Sequence, residues 1–272
     1  MPAATPTSAL TIAGSDSGGG AGLQADLKTF AALRVHGTSA VTAVTAQNTA
    51  EVRGVVPLDA AFVRLQVETV LDDIAVRAVK TGMLAEAATV REVAALAAEG
   101  RLPNLVVDPV LVSSSGHPLM EPAGVEAYIE ALLPRALVAT PNLREAAVLG
   151  GTDVDALRDL DTRVAVAERI RAGGARYVVV KGGHLADSAD DLVAGPDGVL
   201  VLRSSRVATP NDHGTGCSFS AAVAALLASG SDVTDALEQA KRFVARALAG
   251  AASWRLGAGH GPLDHFGWSE QP

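Results

Sequence analysis

Short apolar runs alternate with helix-length patterns along almost the whole chain, and this alternation constrains the fold more than any other feature. Ala9–Ala13, Thr38–Ala46, Val76–Thr81, Leu105–Val110, Ala136–Thr140 and Tyr177–Lys181 read as strands, several of them rich in β-branched residues. Helix patterns follow at Leu23–Leu33, Asp59–Asp72, Glu86–Glu99, Val125–Leu133 and Thr162–Ala172, with another at Val233–Ala251. Strand, crossover helix and next strand make a βαβ unit, which predicts parallel pairing. Asp191–Val193 and Val199–Arg203 depart from this as a hairpin around Gly195-Pro196-Asp197-Gly198. No repeat or linker-like break interrupts the pattern. The expectation is a single α/β domain over residues 9–272, doubly wound, with a mostly parallel central sheet flanked by helices on both faces.

Composition narrows the class of function. A hydrophobic content of 49% with only 3% aromatic residues means a core of Ala, Val and Leu. A net charge of −8 and no Lys/Arg run argue against nucleic acid or an anionic membrane as partner. The one cysteine rules out a disulfide within the chain and fits a reducing, cytoplasmic compartment. The longest uncharged apolar stretch, around 218–228, is too short to span a bilayer. Residues 1–8 lack the basic start and apolar core of a signal peptide and are expected to form a short disordered tail.

Chemistry-bearing residues gather where strands end. In an open α/β sheet those ends share one edge, the edge at which ligands bind. Strand one runs into GSDSGGGAG, a glycine-rich turn whose spacing does not fit the dinucleotide fingerprint, and no P-loop motif occurs anywhere. Asp26 follows one turn into the next helix, where an acidic residue also simply suits the dipole. Strand two ends in Gln47-Asn48-Thr49, which is also good turn chemistry, and Met83 follows the strand Val76–Thr81. Asp108 precedes a proline at the end of a buried strand, a costly place for an unpaired carboxylate. Asn142 and Glu145 have the spacing of a helix capping box, and Lys181 leaves a buried strand into Gly182-Gly183-His184. The turn Pro210–Gly216 enters an Ala/Leu/Val helix pattern beginning near Cys217. Unpaired N–H groups at the positive end of that helix, reached through Gly214 and Gly216, would suit a transferring phosphate.

These motifs, TIAGSDSGGGAGLQADLKTF, AVTAQNT, KTGML, VVDPV, TPNLREA, VVVKGGH and HGTGCSFSAA in this order, resemble the hydroxymethylpyrimidine/phosphomethylpyrimidine kinases of the ribokinase superfamily. The resemblance covers roughly residues 9–266 and implies a kinase using ATP and Mg²⁺ in thiamine biosynthesis. It would phosphorylate 4-amino-5-hydroxymethyl-2-methylpyrimidine and then the resulting monophosphate. By the same resemblance Gly14, Asp26, Thr45 and Gln47 would surround the aminopyrimidine, with Met83 as an apolar wall. Asp108 and Glu145 would hold Mg²⁺, Asn142 would support them, and Lys181 would contact the ATP phosphates. Gly214, Thr215, Gly216 and Cys217 would form the anion hole. Cys217 stands where many relatives in the superfamily carry aspartate, and a helix N-terminus lowers a thiol pKa, so it is expected to be catalytic, as a base or by positioning, against a buried small packing residue. A homodimer is implied by the resemblance alone. The competing readings are a pyridoxal kinase of the same superfamily and a non-catalytic pyrimidine- or nucleotide-binding regulator.

Overall fold

The computed structural model describes residues 5–111, 119–183 and 189–270. Nine strands form one sheet in the order β3-β2-β1-β4-β5-β6-β7-β8-β9. They are β1 (Ser8–Ser15), β2 (His36–Gln47), β3 (Val52–Pro57), β4 (Val76–Thr81), β5 (Val106–Val107), β6 (Val138–Ala139), β7 (Tyr177–Val180), β8 (Asp191–Gly195) and β9 (Gly198–Leu202). From β2 through β1 to β7 every neighbouring pair is parallel. Antiparallel strands finish both edges, β3 beside β2 and the β8–β9 hairpin beside β7. The doubly wound expectation holds.

The strands alternate cleanly because both faces are covered. On one face Leu10, Ile12, Val79, Val107, Val178 and Val180 pack with the helices α2 (Ala60–Asp73), α3 (Ala87–Ala98), α4 (Pro122–Ala127), α5 (Leu143–Gly150) and α6 (Leu160–Ala172). On the other, Ala9, Ala78, Val106, Val138 and Val179 meet α1 (Gly22–Ala32), α7 (Thr215–Ala228) and α8 (Val233–Ala251). Each fully buried Val or Leu contributes about 1.5–3 kcal/mol by leaving water. Helix α7 buries Ala221, Ala222, Ala224, Ala225 and Ala228. Small side chains let it lie close to the sheet and carry its N-terminus to the ends of the central strands.

Some boundaries differ from the sequence expectation. Ser8 begins β1, and Thr7 is tied down, its hydroxyl donating to the Ala228 carbonyl at 3.1 Å, so the expected tail is too long; residues 1–4 lie outside the described residues. Strand β3 has no apolar alternation to announce it: Gly54 and Pro57 interrupt it and every residue is exposed. Strands β5 and β6 are only two residues long, since Pro109 and Pro141 end regular pairing. The helix expected at Val125–Leu133 starts earlier, at Pro122, and widens into a π turn at Tyr128–Leu132. The irregular segment after α8 straps the end of the fold. Its His260 N–H donates to the Thr49 carbonyl at 3.0 Å, and His265 Nε2 lies 2.9 Å from Ser218 Oγ on α7.

Asp26 lies deeper than the strand-end residues around it. It sits on α1 with no exposed surface, facing the sheet. Thr11 Oγ1 on β1 donates to it at 2.6 Å, and Lys80 Nζ on β4 donates to both of its oxygens, at 3.0 and 2.8 Å. Burial alone would lower the Lys80 pKa, but the Asp26 carboxylate outweighs it and holds the ammonium above its ordinary value. Removing one partner leaves an uncompensated buried charge. Asp26→Ala or Lys80→Met is therefore expected to cost about 3–5 kcal/mol in denaturant unfolding, and the double replacement less than the sum of the two. Additive costs in that cycle would show that the two groups do not stabilise one another.

Candidate active site

Two clusters face each other at the carboxyl ends of the strands, with the turn before α7 between them. The first is charged. Asp108, just past β5 and 2% exposed, accepts from Lys181 Nζ at 2.7 Å and from Thr140 Oγ1 at 3.2 Å. Thr140 lies 2.9 Å from Ser220 Oγ, which donates to the Gly216 carbonyl at 2.9 Å and so ties β6 to the first turn of α7. Lys181 is placed by its own N–H, which donates to the Pro141 carbonyl at 2.9 Å, and by a parallel bridge to Asn142. Burial raises the Asp108 pKa, but the Lys181 and Lys80 charges prevail and hold it below the usual carboxylate value. His184, at the end of the motif that carries Lys181, lies outside the described residues.

Asn142 and Glu145 form the full capping box that their spacing predicts. Asn142 Oδ1 accepts from the Glu145 N–H at 3.0 Å, and Glu145 Oε2 accepts from the Asn142 N–H at 2.7 Å. The box aims Glu145 into the same charged cluster. Burial pushes its carboxyl up to about 8, against the pull of Lys181 and with the repulsion of Asp108 adding to the rise. Two carboxyls this close and this dry favour a cation. Among the described residues no group of three or more His, Cys, Asp or Glu could hold a metal ion. A Mg²⁺ bound here would need oxygens from elsewhere, which the phosphates of a nucleotide supply.

The second cluster is polar and uncharged at its rim. Met83 folds over Gly14, whose N–H donates to the Met83 carbonyl at 3.1 Å; a Cβ on Gly14 would come within 2.4 Å of Met83 Cε. Thr45 Oγ1 donates to the Ser15 carbonyl at 2.8 Å, and Gln47 stands beside it at the end of β2. Gly14, Thr45, Gln47 and Met83 thus come together as expected, whereas Asp26 lies beneath them in the core.

The turn Asn211–Cys217 borders both clusters. Its Gly214 has φ +85° and lies so close to the Asp16–Ala21 turn that a Cβ would fall 1.9 Å from the Gly20 carbonyl oxygen. Gly216 passes near Lys181, a Cβ there lying 3.2 Å from Nζ. His213 reaches the other way, its Nε2 3.2 Å from Gln47 Nε2 and 3.0 Å from Asp16 Oδ2. Thr215 Oγ1 donates to the Asp212 carbonyl at 2.7 Å. Cys217 occupies the third position of α7. Burial pushes its thiol up to about 11, with Asp108 and Asp26 adding and Lys80 opposing, against the lowering expected at a helix N-terminus.

A family model described as phosphomethylpyrimidine kinase matches residues 16–264. The chain belongs to the phosphomethylpyrimidine kinase family. It is 47% identical over 260 residues to the hydroxymethylpyrimidine/phosphomethylpyrimidine kinase of Rhizobium meliloti, covering 95% of this chain and 96% of that one. Against the enzyme of the same name from Streptomyces coelicolor it is 49% identical over 268 residues, covering 98% and 97%. The ADP complex of Bacillus subtilis pyridoxal kinase aligns with a TM-score of 0.88 at 40% identity, over 98% of this chain and 100% of that one. The chain is accordingly a kinase, and ATP is its co-substrate.

For this phosphomethylpyrimidine kinase family member, sequence reading left out Asp16, Thr140, Ser220 and His213 at the candidate site and Lys80 beneath it. Lys80 carried a usable signal, since a lysine in an apolar strand needs a buried partner just as Lys181 does. Asp16 and His213 sat inside recognised motifs, but which loop faces which appears only in three dimensions. The raised Glu145 has a measurable effect on the protein without nucleotide or divalent cation. A carboxyl whose folded pKa lies above its unfolded value of 4.5 stabilises fully below that value and loses the contribution as pH rises toward about 8. Melting temperature should therefore fall across that window in the parent protein and fall less in Glu145→Gln. Parallel pH profiles would refute the assignment.

Proposed function

We propose that the protein transfers the γ-phosphoryl group of ATP to the hydroxymethyl group of 4-amino-5-hydroxymethyl-2-methylpyrimidine and then phosphorylates the monophosphate. The observation that carries this reading is the single turn Asn211–Cys217 lying against both clusters, through Gly216 at Lys181 and through His213 at Gln47. A donor phosphate and an acceptor ring placed in the two clusters would meet over that turn. The family names of the Rhizobium and Streptomyces relatives support the same substrate.

In this reading Gln47 meets the aminopyrimidine edge, because an amide both donates and accepts, and Thr45, Gly14 and Met83 shape the wall around it. Lys181 neutralises phosphate charge while Asp108 keeps it oriented. Asp108 and Glu145, supported by the Asn142 cap, would hold Mg²⁺ on the nucleotide phosphates; bound there, the ion supplies charge neutralisation for the transferring group. Binding of the ion would also stabilise ionised Glu145. The amides of Gly214, Thr215, Gly216 and Cys217 at the head of α7 receive the charge that develops in the transition state. Cys217 stands beside the acceptor hydroxyl. A protonated thiol cannot take up the hydroxyl proton, so Cys217 acts as a base only in its thiolate form and otherwise positions the acceptor; a loose transition state needs little base assistance.

Turnover with ATP and Mg²⁺ on the pyrimidine alcohol, with products resolved by mass, tests the substrate; two phosphates should be added in sequence. Turnover on pyridoxal alone would overturn the assignment of the acceptor pocket and leave the phosphate cluster standing. Lys181→Ala is expected to lower kcat by about 100-fold or more. Cys217→Ala should lower it by about 10- to 100-fold with little change in KM, at or below what removal of a committed general base costs. A loss near 10⁴-fold would instead make the thiol the principal base.

A further inference from the structure

His213 has no part in the chemistry above, yet its half-buried ring joins the two loops that frame the acceptor pocket. The state of one proton can be deduced there. Asp16 Oδ1 accepts from the Gly18 N–H at 2.8 Å, and Oδ2 accepts from the N–H groups of Gly20 at 3.0 Å and Ala21 at 2.8 Å. Burial pushes this carboxyl up, but hydrogen bonds from His213, Ala21 and Gly18 outweigh it and hold it below its ordinary value. An ionised carboxylate only accepts, so the 3.0 Å contact with His213 places a proton on Nε2.

That proton dictates the neighbouring amide. His213 Nε2, already a donor, cannot accept from Gln47 Nε2, which stands 3.2 Å away. Thr45 Oγ1 stands 3.5 Å from Gln47 Oε1, but its only proton goes to the Ser15 carbonyl at 2.8 Å. With nitrogen toward His213 and oxygen toward Thr45, both contacts set like against like. A half-turn of the amide exchanges the two atoms and removes both conflicts: Oε1 shares the one Nε2 proton of His213 with Asp16 in a three-centre bond, and Nε2 donates to Thr45.

We propose that Asp16 and His213 are positioning residues for substrate specificity: through one fixed proton they set the polarity of the Gln47 amide and so select the order of donor and acceptor on the ligand's ring edge. The proposal rests on the reading that Gln47 meets that edge. In the fixed polarity Gln47 keeps one N–H and one oxygen lone pair for the ligand. A 4-aminopyrimidine offers an amino donor beside a ring-nitrogen acceptor. The 4-oxo ring of the same shape offers a carbonyl acceptor beside a ring N–H, which is the reverse order. Shape cannot separate these rings, but an amide locked in one polarity can, because the wrong ring leaves polar groups unpaired. An amide free to turn would accept both.

The test is steady-state kinetics with ATP on the 4-amino and 4-oxo forms of 5-hydroxymethyl-2-methylpyrimidine, in the parent enzyme, His213→Ala, His213→Phe and Gln47→Ala. Phenylalanine keeps a ring against Gly20 and guards against a mere folding loss. The parent is expected to favour the amino ring in kcat/KM by about 100-fold or more. Both His213 variants should lower that ratio by at least about tenfold, mainly through KM, with kcat/KM for the oxo ring rising in absolute terms. A loosened pocket would lose activity on both rings and would not gain on one. If Gln47→Ala lowers the ratio while both His213 variants preserve it, the proposal is overturned and the pocket reading survives. A parent ratio retained in Gln47→Ala would overturn both together.

Discussion

The site depends on a place where a side chain is forbidden. Gly214 and the carbonyl of Gly20 approach so closely that any Cβ would collide. Through that contact the first strand's turn and the turn before α7 become one wall, although nearly two hundred positions separate them in sequence. Without it the head of α7 would stand away from the strand ends, and its amides would face water instead of a ligand. Glycine is needed twice over there, for a left-handed φ and for the missing atom.

Below that wall, charge is arranged in depth. Lys80 and Asp26 pair in the dry core between α1 and the sheet, while Asp108, Lys181 and Glu145 sit at the strand ends above. The two levels feel each other: Lys80 helps hold Asp108 ionised, and Asp108 and Asp26 both raise the Cys217 thiol. A low-dielectric setting strengthens each of these interactions and makes an unpaired member costly. The upper level is the less settled of the two, because two carboxyls share one lysine and Glu145 prefers its proton until a further cation arrives. A site in this condition gains most when a further positive charge enters it.

Much of this was legible in the sequence, and the gaps have physical causes. Strand–helix alternation foretold the parallel sheet, and polar residues at strand ends marked the ligand edge. Asp108, Lys181, Glu145, Gln47 and Met83 all lie there. The burial of Asp26 was not legible because sequence position gives the face of a helix but not its depth, and its partner, Lys80, comes from another strand. The raised Cys217 thiol was hidden for a related reason. Helix position announces a favourable dipole, while the desolvation that overrides it depends on what packs around the turn. The exposed strand β3 has neither periodicity nor burial to betray it. Its pairing with β2 is visible only in the sheet.

The segment after α8 ties together the turns that border the candidate site. Its His260 holds the Thr49 carbonyl, the Trp254 carbonyl receives Asn211 Nδ2 at 3.0 Å, and His265 reaches Ser218. Those residues follow all nine strands and the helices that cover them in sequence. A growing polypeptide could therefore assemble the sheet and most of both hydrophobic layers while its two turns were still unclamped. Domains fold as their segments become available, so the two turns would be clamped only after the scaffold that carries them has been made.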